Sequence, residues 1–154
     1  MKSRKRIVLI ACSGKKIETN GNPIAAEKLY IGPLFKKSLE YAKLINADKI
    51  FILSAKHHLV ELDDKLEKYD CYLKTFKDKD KEKWGDEVIK QLKTKVDLEN
   101  DEFIILAGRD YYRFLKGITI KKLPLKGMRI GLKLQELNRL MSDFQLITPD
   151  KSNK

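Results

Sequence analysis

The apolar run over residues 7–11, which leads directly into a polar loop from Cys12 to Lys16, is the feature that most constrains the fold. The run is unbroken and rich in β-branched residues, a pattern typical of a strand buried on both faces rather than of a short helix. A strand of this kind belongs to a sheet that helices cover on both sides. Ligands of open α/β sheets bind beyond the carboxyl ends of the strands, so we expect the loop after this run to carry the chemistry.

Two later apolar runs, residues 49–54 and residues 103–107, are similar to the first in length and composition. Between and after them, apolar side chains recur every three or four positions, which is typical of amphipathic helices. Parallel strands joined by such helices form βαβ units with right-handed crossovers. The sequence therefore predicts an α/β fold in a single domain, with a short, mostly parallel β-sheet flanked by helices.

The limits of the elements follow from the same patterns. The periodicity predicts helices over residues 34–46, 84–96 and 130–141. The domain is expected to cover residues 1–147, beginning with a basic arm over residues 1–6 and followed by a polar tail over residues 148–154. Weaker patterns occur in three places: one or two helical turns at 24–30, a solvated linker or helix start at 75–86, and a short helix at 109–116.

Positive charge is the strongest global property of the chain. The sequence has 33 Lys and Arg against 22 Asp and Glu, which gives a formal net charge of +11. Such a field attracts polyanions, and we expect the partner to be a nucleic acid, DNA in particular. The alternative is a lysine-rich solvated surface, since lysines greatly outnumber arginines. The pattern specifies no oligomeric state.

Several classes of protein do not fit the sequence. No stretch reaches the roughly 20 apolar residues of a membrane-spanning helix, so we expect no membrane association and a cytoplasmic location. Cys12 and Cys71 lack CxxC spacing, and the adjacent His57 and His58 diverge on a strand or a helix. We therefore expect two reduced thiols, no bound metal and no cofactor.

Three lysines that follow predicted strands are candidates for chemistry. Lys15 and Lys16 follow the first strand, and Lys56 follows the second. Each can hold a phosphate as a point charge, and one whose pKa is lowered by burial or by neighbouring cations can act as a nucleophile. The alternative for each is an exposed lysine without a role. The loop contains neither GxxxxGK[ST] nor GxGxxG, so its phosphate-binding interpretation depends on its location alone.

Thiol, hydroxyl and imidazole groups follow the same two strands. Cys12 is a candidate thiolate nucleophile if His57 lies across the crevice, and otherwise a small buried residue at a strand end. Ser13 either donates a hydrogen bond to a ligand anion or closes the turn. Ser54 ends the second strand and is a further candidate for contact with the substrate.

A carboxylate, three aromatic rings and a guanidinium group complete the candidate site. Asp70 either stabilises a cationic transition state or activates water, or is a turn aspartate. The rings of Tyr30, Tyr69 and Tyr111 either stack on an extruded or single-stranded base or pack in the core. Arg109 follows a glycine after the third run, and its fork of donors matches a phosphate.

Six short motifs occur in order along the chain: Ala-Cys-Ser-Gly-Lys-Lys, Leu-Tyr-Ile-Gly-Pro-Leu-Phe-Lys, Ile-Leu-Ser-Ala-Lys-His-His-Leu-Val, Glu-Lys-Tyr-Asp, Leu-Ala-Gly-Arg-Asp-Tyr-Tyr and Leu-Pro-Leu-Lys-Gly-Met-Arg-Ile-Gly. With this order the chain resembles the small uncharacterised phage and bacterial domains related to the YaaA-type peroxide-stress proteins. The resemblance implies DNA binding under oxidative stress, and relatives that excise modified bases.

The loop Cys-Ser-x-x-Lys is more distantly similar to a loop of archaeosine synthase. In that family the lysine adds to a nitrile on a deazaguanine base in tRNA. By this resemblance, the matching position in the present sequence is Lys16.

Together these observations favour a nucleic-acid base-processing enzyme, with a DNA N-glycosylase acting on modified bases as the best single expectation. In that scheme Asp70 stabilises the sugar cation or orients water, while Lys16 and Lys56 bind phosphate or assist the leaving base. Nine residues are expected to contact the substrate: Cys12, Ser13, Lys15, Tyr30, Ser54, His57, Tyr69, Arg109 and Tyr111. The alternatives are a non-catalytic DNA-binding stress-response protein and a hydrolase or transferase of nucleotides or nucleosides.

Overall fold

The computed structural model describes residues 4–147, so the start of the basic arm and the predicted tail of residues 148–154 lie outside the described residues. The strands within this range are β1 (Arg6–Ala11), β2 (Ile24–Ala25), β3 (Lys49–Ser54), β4 (His58–Glu61), β5 (Lys65–Leu66), β6 (Glu102–Leu106) and β7 (Ile120–Lys122). The α-helices are α1 (Ala26–Leu29), α2 (Pro33–Leu44), α3 (Asp78–Lys93), α4 (Arg109–Tyr112) and α5 (Ile130–Ile147). A 3-10 turn covers Leu73–Thr75.

β1 lies at the centre of a five-stranded sheet of order β4-β3-β1-β6-β7. It pairs in parallel with β3 on one side and with β6 on the other, so that Ile10 lies between Ile52 and Leu106. β7 is parallel to β6, and only the edge strand β4 is antiparallel to its neighbour. The predicted α/β fold with a mostly parallel sheet is confirmed, and the carboxyl ends of β1, β3 and β6 share one edge.

β1 is buried on both faces because helices pack on each side of the sheet. Ile7 and Leu9 belong to the core cluster that includes Trp84 and Val88 of α3. Val8 and Ile10 point to the opposite face, and belong to the cluster that includes residues of α2 and α5. The alternation of side chains along a strand produces this division, and the continuous apolar run satisfies both faces.

The structure defines the boundaries of several helices and strands more closely than the sequence predicts. Of the two alternatives for residues 75–86, the helix start is confirmed: α3 begins at Asp78, and Asp78 and Asp80 in its first turn complement the helix dipole. Residues 24–30 divide between β2 and the single turn α1, and the helix predicted over 109–116 is the single turn α4. The last helix extends to Ile147. Among the described helices, none is long and apolar enough to cross a membrane.

β4 was not predicted from the sequence, and it forms a tight hairpin with β3. Ser54 pairs with His58 across the turn, and His58 has a φ of 66°, in the left-handed region that favours glycine. The turn keeps Lys56 and His57 at the carboxyl edge of the sheet, beside the loop that follows β1.

Two helical glycines provide a test of how tightly α3 is packed. A Cβ at Gly85 would overlap the main-chain carbonyl of Phe114, whereas one at Gly131 in α5 would have no atom within 4 Å. We expect Gly85→Ala to lower the free energy of unfolding by about 2 kcal/mol, because the clash outweighs the gain in helix propensity. Gly131→Ala should instead raise it by about 0.5–1 kcal/mol.

Urea unfolding followed by circular dichroism measures both values. Equal effects of the two substitutions would contradict the close contact between α3 and Phe114.

Candidate active site

The loop after β1 is fixed at both ends by main-chain and side-chain hydrogen bonds. The Cys12 amide donates to the Leu53 carbonyl of β3 (3.0 Å), which holds the thiol at the sheet edge. The Ser13 Oγ accepts from the amides of Lys15 (3.1 Å) and Gly32 (3.0 Å), and a side chain at Gly32 would collide with it. Ser13 therefore closes the turn of the loop, which is one of its two predicted roles, and joins the loop to the start of α2.

Lys16 is the most unusual charged group of the site, because only 7% of the residue is exposed. Its Nζ donates to the Gly14 carbonyl (3.3 Å) and lies 4.4 Å from the centre of the Tyr69 ring. Burial lowers the pKa of this amine, and the nearby Cys12 and Asp70 only partly offset that effect. More of the amine is consequently uncharged than in an ordinary lysine, which makes it a better nucleophile.

A network of buried hydroxyl groups supports the ring under Lys16. The Tyr69 hydroxyl is 2.5 Å from that of Tyr30 and 2.7 Å from the Ser54 Oγ, which also accepts from the His57 amide (3.0 Å). Burial raises the pKa of Tyr30 to about 12 and raises that of Tyr69 further. The phenols therefore stay neutral, and the network orients the Tyr69 ring.

This network corrects one sequence-based role. Tyr30 is only 1% exposed and packs against Phe35 and Tyr69, so it offers no free face for stacking on a base. Tyr69 is also buried, with Lys16 over its ring and His57 against it. Both tyrosines position the site from within the core.

Lys56 and His57 approach the same ring from the β3–β4 turn. The Lys56 Nζ is 5.7 Å from the centre of the Tyr69 ring, and the His57 ring meets it edge to face at 5.0 Å. Burial lowers the pKa of His57, and the charges of Lys56 and His58 lower it further. A neutral imidazole with a hydrogen-bond acceptor is therefore available beside two amines.

Asp70 adds a carboxylate to this group of side chains. Its carboxylate is exposed, is close enough to raise the pKa of Lys16, and accepts a long hydrogen bond from the Tyr72 hydroxyl (3.5 Å). Tyr72, which the sequence analysis did not select, lies against Gly14 and holds its ring 5.8 Å from the Lys16 Nζ. It is 41% exposed, and it covers the amine on the solvent side.

Cys12 lies on a small cavity of 160 Å³ beside Lys16, together with Cys71, Tyr72 and Tyr111. Its Sγ is 3.5 Å from the Tyr111 hydroxyl, and no hydrogen bond joins it to His57 among residues 4–147. The thiol therefore contacts the Tyr111 hydroxyl, and its pairing with His57 as a thiolate nucleophile stays a prediction. Tyr111 packs edge to face on Trp84, and burial raises its pKa.

Two predicted phosphate ligands lie at the rim of the site. Lys15 and Arg109 are exposed at the ends of β1 and β6, and their charged groups make no hydrogen bond or ion pair within the described range. Each is free to contact an anion. No group of three His, Cys, Asp or Glu residues within 4–147 is arranged to hold a metal ion.

The structure thus brings Lys16, Lys56, His57, Asp70 and the Ser54–Tyr69 network to one edge of the sheet. The sequence model of a family described as "Family of unknown function (DUF6884)" matches residues 7–139, which include every one of these residues. No curated protein and no solved structure matched the chain.

The burial of Lys16 predicts a pH-dependent contribution to stability. Because its pKa is lowered on folding, the unfolded chain binds more protons between that value and the ordinary value of a lysine. Stability from this group therefore rises as pH increases through that window. We expect Lys16→Met to raise the free energy of unfolding by about 1 kcal/mol at neutral pH, since an apolar group replaces a buried charge.

Urea unfolding at neutral and mildly alkaline pH measures the effect, and the advantage of the variant should shrink at the higher pH. The exposed Lys15→Met removes the same charge as a control and should not stabilise the protein. A variant of Lys16 that is less stable at both pH values would show that the charged amine is well paired.

Proposed function

The chain belongs to the DUF6884 family, whose function is unknown, and from its own site we propose that it is a nucleic-acid base-processing enzyme, a DNA N-glycosylase that acts on modified bases. The observation that carries the proposal is Lys16, a buried amine of lowered pKa with a carboxylate beside it. The resemblance to YaaA-type domains supports the choice of substrate.

The chemistry begins with the amine of Lys16 and the C1′ carbon of the target nucleotide. As the new C–N bond forms, the glycosidic bond breaks, its electron pair leaves with the base, and the base takes up a proton. The nitrogen loses a proton, and its electron pair then displaces O4′ from C1′. O4′ takes up a proton as the sugar ring opens, which leaves a protonated imine between Lys16 and C1′. Water then hydrolyses the imine, so that the free base and an abasic sugar are released.

Asp70 has the charge that this reaction needs. The sugar becomes cationic as the base departs, and a carboxylate near C1′ stabilises that charge. The Tyr72 side chain is close to both groups: its hydroxyl is 3.5 Å from the Asp70 carboxylate, and its ring centre is 5.8 Å from the Lys16 Nζ. The neutral His57 imidazole lies nearby to accept the proton that the Lys16 nitrogen loses, and the Lys56 amine lies nearby to supply the proton that the leaving base requires.

Binding of the polyanion relies on exposed cations around this edge. Exposed cations in and beside the loop after β1 include Lys15, Lys56 and Arg109. The formal net charge of +11 attracts DNA over a longer range. Contacts of this kind release counterions, so the affinity for long DNA falls steeply with salt concentration. An enzyme that acts on intracellular DNA is a cytoplasmic protein, and both of its cysteines are free, as a reducing compartment requires.

An imine to Lys16 is detectable because sodium cyanoborohydride reduces it to a stable secondary amine. We expect the full-length protein to become covalently linked to phage DNA that carries modified bases, with the link at Lys16 located by mass spectrometry of peptides. Lys16→Gln should abolish the adduct, and Lys126→Gln, an exposed lysine outside the site, should retain it. An adduct that survives Lys16→Gln would overturn the role of this amine.

Asp70→Asn separates catalysis from binding. The substitution removes the charge and keeps the shape, so we expect release of the free base to fall at least about 100-fold while DNA affinity changes little. Mass spectrometry of free bases and a filter-binding titration measure the two quantities. Asp63→Asn, an exposed carboxylate outside the site, is the matched control.

DNA binding with neither base release nor an adduct would favour the non-catalytic alternative, in which the cluster is an anion site. Release from free nucleotides but not from DNA would favour a nucleotide hydrolase.

A further inference from the structure

A second cavity of 320 Å³ opens on the other side of the loop after β1. It lies between the amino end of α2, the end of β6 at Gly108, and the first turn of α5. Most of its wall is apolar, and is formed by Leu34, Phe35, Leu106, Leu125 and Ile130. A cavity of this size and character is suited to a small ligand with a flat apolar body.

One polar side chain on this wall has no partner. Ser38 of α2 is 1% exposed, and its Oγ makes no hydrogen bond with any group among the described residues. Serines within helices commonly donate to the carbonyl four residues earlier, and Ser38 does not. Because a buried hydroxyl without a partner is costly, its presence on a cavity wall points to a ligand that supplies the missing hydrogen bond.

Positive groups collect at the mouth of the same cavity. The Lys133 amine lies over Gly108, 3.6 Å from where a Cβ of that glycine would be, and Lys15 lines the cavity from the loop after β1. The first turn of α2 has no side-chain cap, and its Leu34 and Phe35 amides precede that of Lys36, the first to donate to a carbonyl of this turn (Gly32, 3.1 Å). An anion placed there meets two amines and the positive end of a 12-residue helix.

The spacing of the two features matches one class of ligand. Ser38 lies five residues beyond Pro33, which is about 7.5 Å along the helix axis. A molecule that satisfies both features has an anionic group at one end and a flat, largely apolar ring with a hydrogen-bonding edge at the other.

We propose that this cavity binds one nucleotide unit, with its phosphate at the amino end of α2 between Lys15 and Lys133, its base against Leu34, Phe35 and Leu125, and the base edge hydrogen-bonded to Ser38. The choice of a nucleotide rests on the proposed function, whereas the cavity itself does not use Lys16. The loop after β1 separates this cavity from the smaller one on which Cys12 lies, since Cys12, Ser13 and Gly14 line both.

Calorimetric titration of the full-length protein tests the site with three probes: dAMP, deoxyadenosine and inorganic phosphate. We expect dAMP to bind more tightly than either of its parts. Ser38→Ala should weaken dAMP binding about tenfold and leave phosphate binding unchanged, because it removes one hydrogen bond to the base. Lys133→Gln should weaken dAMP and phosphate binding alike, and Lys126→Gln, an exposed lysine outside the cavity, should change neither.

Stability of the free protein separates a ligand-binding role of Ser38 from a structural one. Removing a hydroxyl that has no partner should leave the melting temperature of Ser38→Ala unchanged or raised, so a lowered melting temperature would overturn the argument. No saturable dAMP binding, or equal binding by the Ser38 and Lys133 variants and the wild type, would overturn it too.

Two further binding measurements identify the source of the nucleotide and distinguish the nucleotide site from the proposed glycosylase activity. Tighter binding of a short deoxyadenosine oligomer than of dAMP identifies a nucleotide within a strand, and the reverse order identifies a free nucleotide. Lys16→Gln should bind dAMP normally. If the imine trap fails while dAMP binds and Ser38→Ala weakens it, the glycosylase proposal fails and the nucleotide site stands.

Discussion

The burial of β1 on both faces is the constraint on which the rest of the structure depends. A strand with apolar side chains on both sides is stable only between two layers of helices, and its main-chain groups are satisfied only by parallel neighbours on each side. This arrangement puts the carboxyl ends of β1, β3 and β6 at one edge. The polar side chains of the candidate site lie at or near that edge.

The site itself is held by a buried polar network rather than by the loop alone. The carbonyl of Ser54 accepts from the Trp84 indole (2.9 Å), while its hydroxyl joins Tyr69 and the His57 amide. Such a network is stable in the core because each of these groups has a partner. It holds the Tyr69 ring against the Lys16 amine, and Lys16 is thereby kept in a poorly solvated position that disfavours its charge. The two sides of the loop after β1 differ, with cations and an apolar cavity on one side and the buried amine on the other.

Strands and helices with long, regular patterns were predictable, and short or irregular elements were not. The run 7–11 is apolar at every position, and the helix over 34–46 keeps one periodicity over several turns. Tertiary packing reinforces both patterns. β4 and β7 have only four and three residues, and they exist because β3 and β6 offer free edges. Tyr72 and Ser38 were missed for a different reason, since neither belongs to a distinctive sequence pattern. Tyr72 is relevant because it lies near Lys16, and Ser38 because it lines the second cavity.

The sequence by itself determined the fold class, the positions of β1, β3 and β6 along the chain, and the loop that follows β1, because these depend on local periodicity and on how parallel sheets are built. Tertiary structure alone decided which of three candidate lysines is buried, that Tyr30 lies inside the core, and that Cys12 faces Tyr111. Those outcomes depend on contacts between residues far apart in the chain, such as Tyr30 with Tyr69 across 39 positions and Cys12 with Tyr111 across 99. Solvation of a charged group is set by the whole surrounding shell, which no local pattern encodes.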